Sequence, residues 1–254
     1  MNLNHKITGS GDPIVILHGL FGMLDNWSTF AKELANDFTV ILLDLRDHGK
    51  SPRTDEFSYP LLAEDVYEFL DNSGIRKTHL MGHSMGGKVA IQLTHDYGYA
   101  VDKLIVVDIA PKAYSGGHEK IFEALLTANV QNADNRESIY LHLKKYIQGE
   151  DVIQFLLKNL QRMKEGGYQW KMNVKTLYKN YHVILDNAVL NHHIDNETLF
   201  VRGGLSDYIR EEDEPEIFSL FPNSIIKTIQ GAGHWVHAEK PSELLDLVKN
   251  FLNQ

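Results

Sequence analysis

The chain contains no cysteine. Disulfides, thiolate metal sites and cysteine nucleophiles are therefore excluded together. A chain of 254 residues does not need such staples, because it can bury roughly three quarters of its unfolded surface. Excess positive charge is also missing. The 25 Lys and Arg against 34 Asp and Glu leave a formal net charge of −9. A groove that tracks phosphates needs a basic face, so nucleic acid is not an expected partner. No apolar run approaches the ~20 residues of a membrane-spanning helix. The opening Met1-Asn2-Leu3-Asn4-His5-Lys6 lacks the apolar core of a signal peptide. These absences predict a soluble, cytoplasmic protein. Internal repeats, linkers and low-complexity tracts are absent too, and oligomeric state is not legible.

What the chain does have is alternation. Ile14–Leu17, Val40–Leu43, Thr78–Met81, Leu104–Val107, Leu199–Val201 and Ile225–Ile229 are short apolar runs rich in Val and Ile, as strands buried on both faces require. Between them, Trp27–Ala35, Leu61–Leu70, Met85–Leu93 and Leu244–Leu252 carry apolar residues at helical spacing. Alternation of strand and helix predicts parallel strands joined by right-handed crossovers. Residues 111–196 break the pattern. Ile121–Ala128, Ile139–Ile147, Val152–Met163 and Val174–Leu185 all read as helices, and the segment is expected to be all helical. Inserted at the carboxyl ends of parallel strands, it would lie over the usual ligand crevice.

One of those strand ends reads Gly82-His83-Ser84-Met85-Gly86-Gly87. The spacing Gly-x-Ser-x-Gly between a strand and a helix is that of a nucleophile elbow, a sharp turn that holds a serine clear of the sheet and needs small neighbours. A serine hydroxyl is a weak nucleophile until a base takes its proton. Of the chain's 13 histidines, His234 is the expected base, because it follows the last strand in the loop Gly231-Ala232-Gly233-His234-Trp235. His237 comes too late in the turn, and His83 is expected to pack within the elbow. A carboxylate must then orient the imidazole. The loop Val201-Arg202-Gly203-Gly204-Leu205-Ser206-Asp207 places Ser206 where the acid usually stands and Asp207 one residue late. Asp108, at the tip of Leu104–Val107, is the other candidate and is preferred, with Ser206 supporting it and Asp207 as the alternative acid. Oxyanion donors are expected from the backbone N–H groups of Met85 and Leu20, with Phe21 in reserve.

Taken together, His18-Gly19, Asp44-x-Arg46-x-His48-Gly49-x-Ser51, the elbow, the insertion and Gly233-His234 resemble an α/β-hydrolase over nearly the whole chain. His18–Gly22, Asp25-Asn26-Trp27, Gly82–Lys88, Asp108-Ile109-Ala110-Pro111 and Gly231–Pro241 are similar to the YbfF-type bacterial esterases. The resemblance implies an α/β fold: a mostly parallel sheet with helices on both faces, and a helical cap inserted after the strand that follows the elbow helix. Residues 1–110 and 197–254 would form the core and 111–196 the cap. It also implies an acid at Asp108 with Ser206 beside it, and hydrolysis of small to medium acyl esters, extending to acyl thioesters, without a cofactor. The Asp207 that follows Ser206 is a departure from that pattern.

Weaker signals weigh less. Asp44–Gly49 reads as a structural turn, Gly9-Ser10-Gly11 as a loop outside any dinucleotide setting, and His192-His193 as cap surface without metal-ligand spacing. Glu211–Glu214 reads as the solvated start of a helix. The aromatic residues Tyr114, Phe122, Phe155, Trp170, Tyr178 and Tyr181, with His182, are expected to form mostly the cap's own core. A few should line an apolar pocket with Phe21, Trp235 and Tyr208. Two rival readings remain: a cofactor-free haloperoxidase-like or carbon–carbon bond hydrolase on the same fold, and a ligand-binding receptor that retains a hydrolase pocket.

Overall fold

In the computed structural model, which describes residues 1–254, the chain opens with β1 (His5–Thr8) and β2 (Pro13–Leu17). It continues through α1 (Ser28–Leu34), β3 (Thr39–Leu43), α2 (Tyr59–Asn72), β4 (Thr78–His83), α3 (Met85–Tyr97) and β5 (Val101–Val107). The inserted segment holds α4 (Glu119–Thr127), α5 (Arg136–Leu143), α6 (Glu150–Leu157), β6 (Leu160–Arg162), β7 (Tyr168–Trp170), α7 (Val174–Lys179) and α8 (Tyr181–Leu185). The chain then returns with β8 (Glu197–Gly203), α9 (Glu214–Leu220), β9 (Ser224–Ile229), α10 (Val236–Glu239) and α11 (Pro241–Leu252).

The seven-stranded sheet has the order β1-β3-β2-β4-β5-β8-β9. Only β1 runs antiparallel, and the other neighbours pair in parallel. Successive side chains of a strand point to opposite faces, so an apolar run buried on both sides must feed two cores. Val15, Leu17, Ile41, Leu43, Leu80, Leu104 and Val106 pack with α2 and α3 on one face. Ile14, Ile16, Val40, Leu42, Met81, Ile105 and Val107 pack with α1 and α11 on the other. Register brings the strand tips together: His83 pairs with Val107, and Val107 with Val201. Residues just beyond these tips therefore share one edge of the sheet. No helix of the structure is long and apolar enough to cross a membrane.

The structure corrects the sequence reading at three places. An extra strand, β1, covers the edge of β3; its residues are largely exposed, so it lacks the apolar signature of the others. The inserted segment is not all helical. The helix expected over Val152–Met163 stops at Leu157, and Leu160–Arg162 instead pairs antiparallel with Tyr168–Trp170. Strands of three residues are too short to display period two. The hairpin's signature was Gly166-Gly167, both at positive φ, where a Cβ on Gly167 would meet the Gln131 carbonyl at 1.8 Å. Third, Val174–Leu185 forms two short helices that break at Asn180.

Polar contacts tie the insertion to α2, α3 and the turn after β3. Lys88, on α3, donates to the Leu185 and Asp186 carbonyls at 3.1 and 2.5 Å, and Tyr59 donates to Ile184 O at 2.6 Å. Burial pushes the Lys88 ammonium down to about 7. Asn173 N–H donates to Asp47 O at 2.7 Å, and its amide donates to Asp47 Oδ1 at 2.9 Å. The Asp44–Gly49 cluster is a structural turn: Arg46 grips Asp65 in a bidentate pair at 2.6 and 2.8 Å, and Asp44 accepts from Leu24 and Lys50 N–H.

Candidate active site

Ser84 stands between β4 and α3 with φ +53°, a left-handed conformation that a non-glycine residue rarely adopts. The turn closes because its neighbours lack side chains. A Cβ on Gly82 would lie 2.2 Å from Gly86 O, and one on Gly86 would lie 2.4 Å from His18 O. Although its side chain leaves the sheet, Ser84 N–H still donates to Val107 O at 3.0 Å. One strand further on, Asp108 repeats the device: φ is +51° and its N–H donates to Val201 O at 2.8 Å.

His234 reaches both side chains. Its Nε2 lies 3.0 Å from Ser84 Oγ and its Nδ1 lies 2.8 Å from Asp108 Oδ2. Asp108 is fully buried and accepts from Gly203 N–H at 2.8 Å and from the Ser206 hydroxyl. These donors fix the carboxylate so that its Oδ2 is directed at Nδ1. Asp207 does not take part. Its side chain is 90% exposed and lies 3.7 Å from Arg210, outside the contacts that His234 makes. The residue late by one place turned outward, while Ser206 turned inward.

Neighbouring groups hold the imidazole. The Tyr208 ring stacks on it with centroids 3.8 Å apart at 16°. Tyr208 is held in turn through its carbonyl, which accepts from the Tyr114 hydroxyl at 2.7 Å. His83 Nε2–H donates to the His234 carbonyl at 2.8 Å, and His237 stacks on Trp27 at 4.4 Å. Burial, with His234 adding to it, keeps His83 well below the ordinary imidazole range and pushes His237 down to about 4. Both are therefore neutral packing groups at pH 7.

The oxyanion candidates flank the serine. Met85 opens α3, so its N–H lies outside the intrahelical ladder. Leu20 and Phe21 lie in the turn after β2, and Phe21 has φ +61°. Sequence reasoning gave His18 no separate task there. Its Nε2 accepts from Leu45 N–H at 3.1 Å and its Nδ1–H donates to Gly19 O at 2.8 Å, which defines a neutral tautomer and fixes the Gly19–Leu20 peptide.

A cleft of about 210 Å³ opens beside Ser84 and His234, lined among others by Phe21, Ile121, Val152, Phe155, Leu156 and Trp235. Trp235 packs on Phe155 with centroids 5.4 Å apart. Tyr208 does not line this cleft; it borders a recess of about 30 Å³ on the other side of Ser84, near Lys88 and Tyr114. His118 borders both spaces. The Tyr181 hydroxyl accepts from His118 N–H at 3.0 Å and lies 2.9 Å from its Nδ1. Burial pushes His118 down to about 4. Among the other aromatics of the insertion, Phe122 and Tyr181 meet edge to face at 4.9 Å, and Phe122 packs on Phe21 at 5.0 Å, so they join the core of the sheet's face instead of forming a separate one. His192 and His193 lie on the surface, and no group of His, Asp or Glu side chains is arranged to hold a metal ion.

Comparison with known proteins agrees with this architecture. Residues 12–241 match the model of the alpha/beta hydrolase fold family. The chain is 38% identical to Esterase YbfF of Escherichia coli over 246 residues, covering 96% of this chain and 94% of that protein. It is likewise 38% identical over 242 residues to a putative esterase/lipase of Haemophilus influenzae, covering 95% and 83%. A solved structure, a marine microorganism esterase, superposes with a TM-score of 0.96 at 40% identity, covering 98% of each chain. With a family match across most of its length and relatives of this similarity, the chain belongs to the α/β-hydrolase family.

Proposed function

We propose that the protein is a serine carboxylesterase acting on small to medium acyl esters, and on acyl thioesters by the same chemistry. One observation carries the reading: Ser84 Oγ, His234 and Asp108 form a continuous chain of contacts at 3.0 and 2.8 Å beside an apolar cleft. The similarity to proteins named as esterases supports it.

In this mechanism Ser84 Oγ attacks the ester carbonyl while its proton passes to His234 Nε2. Asp108 stabilises the imidazolium and keeps its Nδ1–H directed inward. The N–H groups of Leu20 and Met85 stabilise the oxyanion, each worth about 3 kcal/mol in the transition state. Collapse of the tetrahedral intermediate breaks the bond to the leaving oxygen or sulfur, which takes the proton from Nε2 and departs. Water, deprotonated by His234, then attacks the acyl-enzyme, and release of the acid returns Ser84. Residues 1–110 and 197–254 serve as the hydrolase core, and residues 111–196 serve as a cap whose side chains select the acyl group.

The test is turnover of p-nitrophenyl esters from acetate to octanoate. Wild-type protein is expected to hydrolyse the shorter members, and Ser84→Ala to be folded and inactive. A fluorophosphonate probe should label the wild type and not Ser84→Ala. Undiminished turnover by Ser84→Ala would end the hypothesis. Labelling without turnover on esters or thioesters would favour a receptor or a hydrolase of another bond.

A further inference from the structure

The turn that carries Leu20 adopts a conformation its sequence does not favour. Gly22 N–H donates to Gly19 O at 3.0 Å, closing a four-residue turn with Phe21, at φ +61°, in third place. A positive φ at that position ordinarily calls for glycine or asparagine, because a Cβ crowds the backbone. A buried aromatic keeps it only if the surroundings hold it there.

Two side chains grip the turn. His18 holds the Gly19 carbonyl at 2.8 Å, in the same peptide unit as Leu20 N–H. The second grip comes from the insertion: Asn159 Nδ2 donates to Phe21 O at 2.8 Å. A carbonyl can only accept, so the amide must present its nitrogen here. Asn159 is fully buried and follows α6. Its own N–H donates to Leu156 O at 3.0 Å, and its carbonyl accepts from Lys171 N–H at 2.8 Å, so it is a fixed point. Its Oδ1 has no partner. Phe21 O is therefore the single group that this buried amide serves, and the side chain does nothing for the insertion's own hydrogen bonding.

We propose that Asn159 is a positioning residue for the oxyanion site: by holding the Phe21 carbonyl, it keeps the Leu20–Phe21 turn aimed so that Leu20 N–H meets the oxygen of the tetrahedral intermediate. This rests on the esterase reading above. The insertion then contributes to the chemical step as well as to binding, although it supplies no group that touches the reacting atoms.

The experiment uses the full chain with Asn159→Leu, which is similar in size but donates no hydrogen bond, and Asn159→Ala, which leaves room for a bridging water. Steady-state kinetics on a p-nitrophenyl ester are combined with the inhibition constant of a phenylboronic acid, which forms a tetrahedral adduct on serine, and with the thermal midpoint. Misaiming a donor is expected to lower kcat about tenfold or more in Asn159→Leu, with KM within about twofold. The boronic acid should weaken by the same factor as kcat/KM falls, because it mimics the transition state. Asn159→Ala should lose less. A folded Asn159→Leu with wild-type kcat overturns the proposal, as does a loss of kcat/KM that leaves boronic acid binding unchanged. Failure of both variants to fold also counts against it, since Asn159 would then be a folding residue. If instead the wild type shows no Ser84-dependent turnover, the esterase reading itself has failed.

Discussion

The two sides of the cleft are built by different means. On the sheet side, Ser84 and Asp108 sit just past adjacent parallel strands, both at positive φ, and each still donates its N–H to the next strand. Their positions follow from a hydrogen-bond ladder and can shift little without breaking it. On the insertion side, the walls come from helices of nine residues or fewer and a three-residue hairpin, held by side-chain packing and scattered polar ties. The difference teaches that the reacting groups require a scaffold that resists displacement, since about 1 Å of misplacement can cost 10²-fold. Pocket walls can vary without that penalty, because apolar contact is not directional.

The largest effect expected on the sheet side separates the two aspartates. Asp108→Asn should lower kcat by about 10³–10⁴, because an amide no longer stabilises the imidazolium or its tautomer. Asp207→Asn should stay within about twofold of wild type, since an exposed loop charge contributes little. Equal losses in steady-state assays would erase the distinction. On the insertion side, Phe155→Ala should raise KM about tenfold for a hexanoate ester by removing apolar wall. It should leave acetate turnover and kcat nearly unchanged; a large fall in kcat would show that this wall also serves the chemistry. Ser206→Ala sharpens the picture within the sheet side. It removes one of the donors to the Asp108 carboxylate, a charge-assisted bond of about 1.5–3 kcal/mol, so kcat should fall about tenfold.

The smallest effect concerns stability. Burial pushes His48 down to about 3 and His237 to about 4, whereas an unfolded imidazole titrates near 6.5. Below that pH the unfolded chain binds more protons than the folded one, so stability falls as pH drops from 6.5 towards the folded values. His237→Phe retains a ring against Trp27 and should flatten the slope of the melting midpoint over pH 6.5 to 4. An unchanged slope, followed by calorimetry, would remove His237 from this account.

Much of the core was legible because its signals are local. Six apolar runs and the glycines around Ser84 report burial and crowding within a few residues of themselves. The hairpin and β1 were not legible: one is too short for a period, and the other is an exposed edge without an apolar face. Within the site, Ser84 and His234 stood out through their glycine-rich settings. Asn159 carried no signal at all, being one asparagine in a stretch that reads as helix, and its partner is 138 residues away.

By itself, then, the sequence determined a doubly covered parallel sheet, an elbow and a histidine loop, because periodicity and glycine spacing impose those elements locally. Tertiary structure alone decided which tyrosine stacks on the His234 ring and which insertion residue grips the Phe21 carbonyl, and it set Asp108, the aspartate the sequence preferred, against His234. The physical reason is distance along the chain. Asp108 and Asp207 have the same chemistry, and only strand register and the direction of a loop place one in the interior and the other in water.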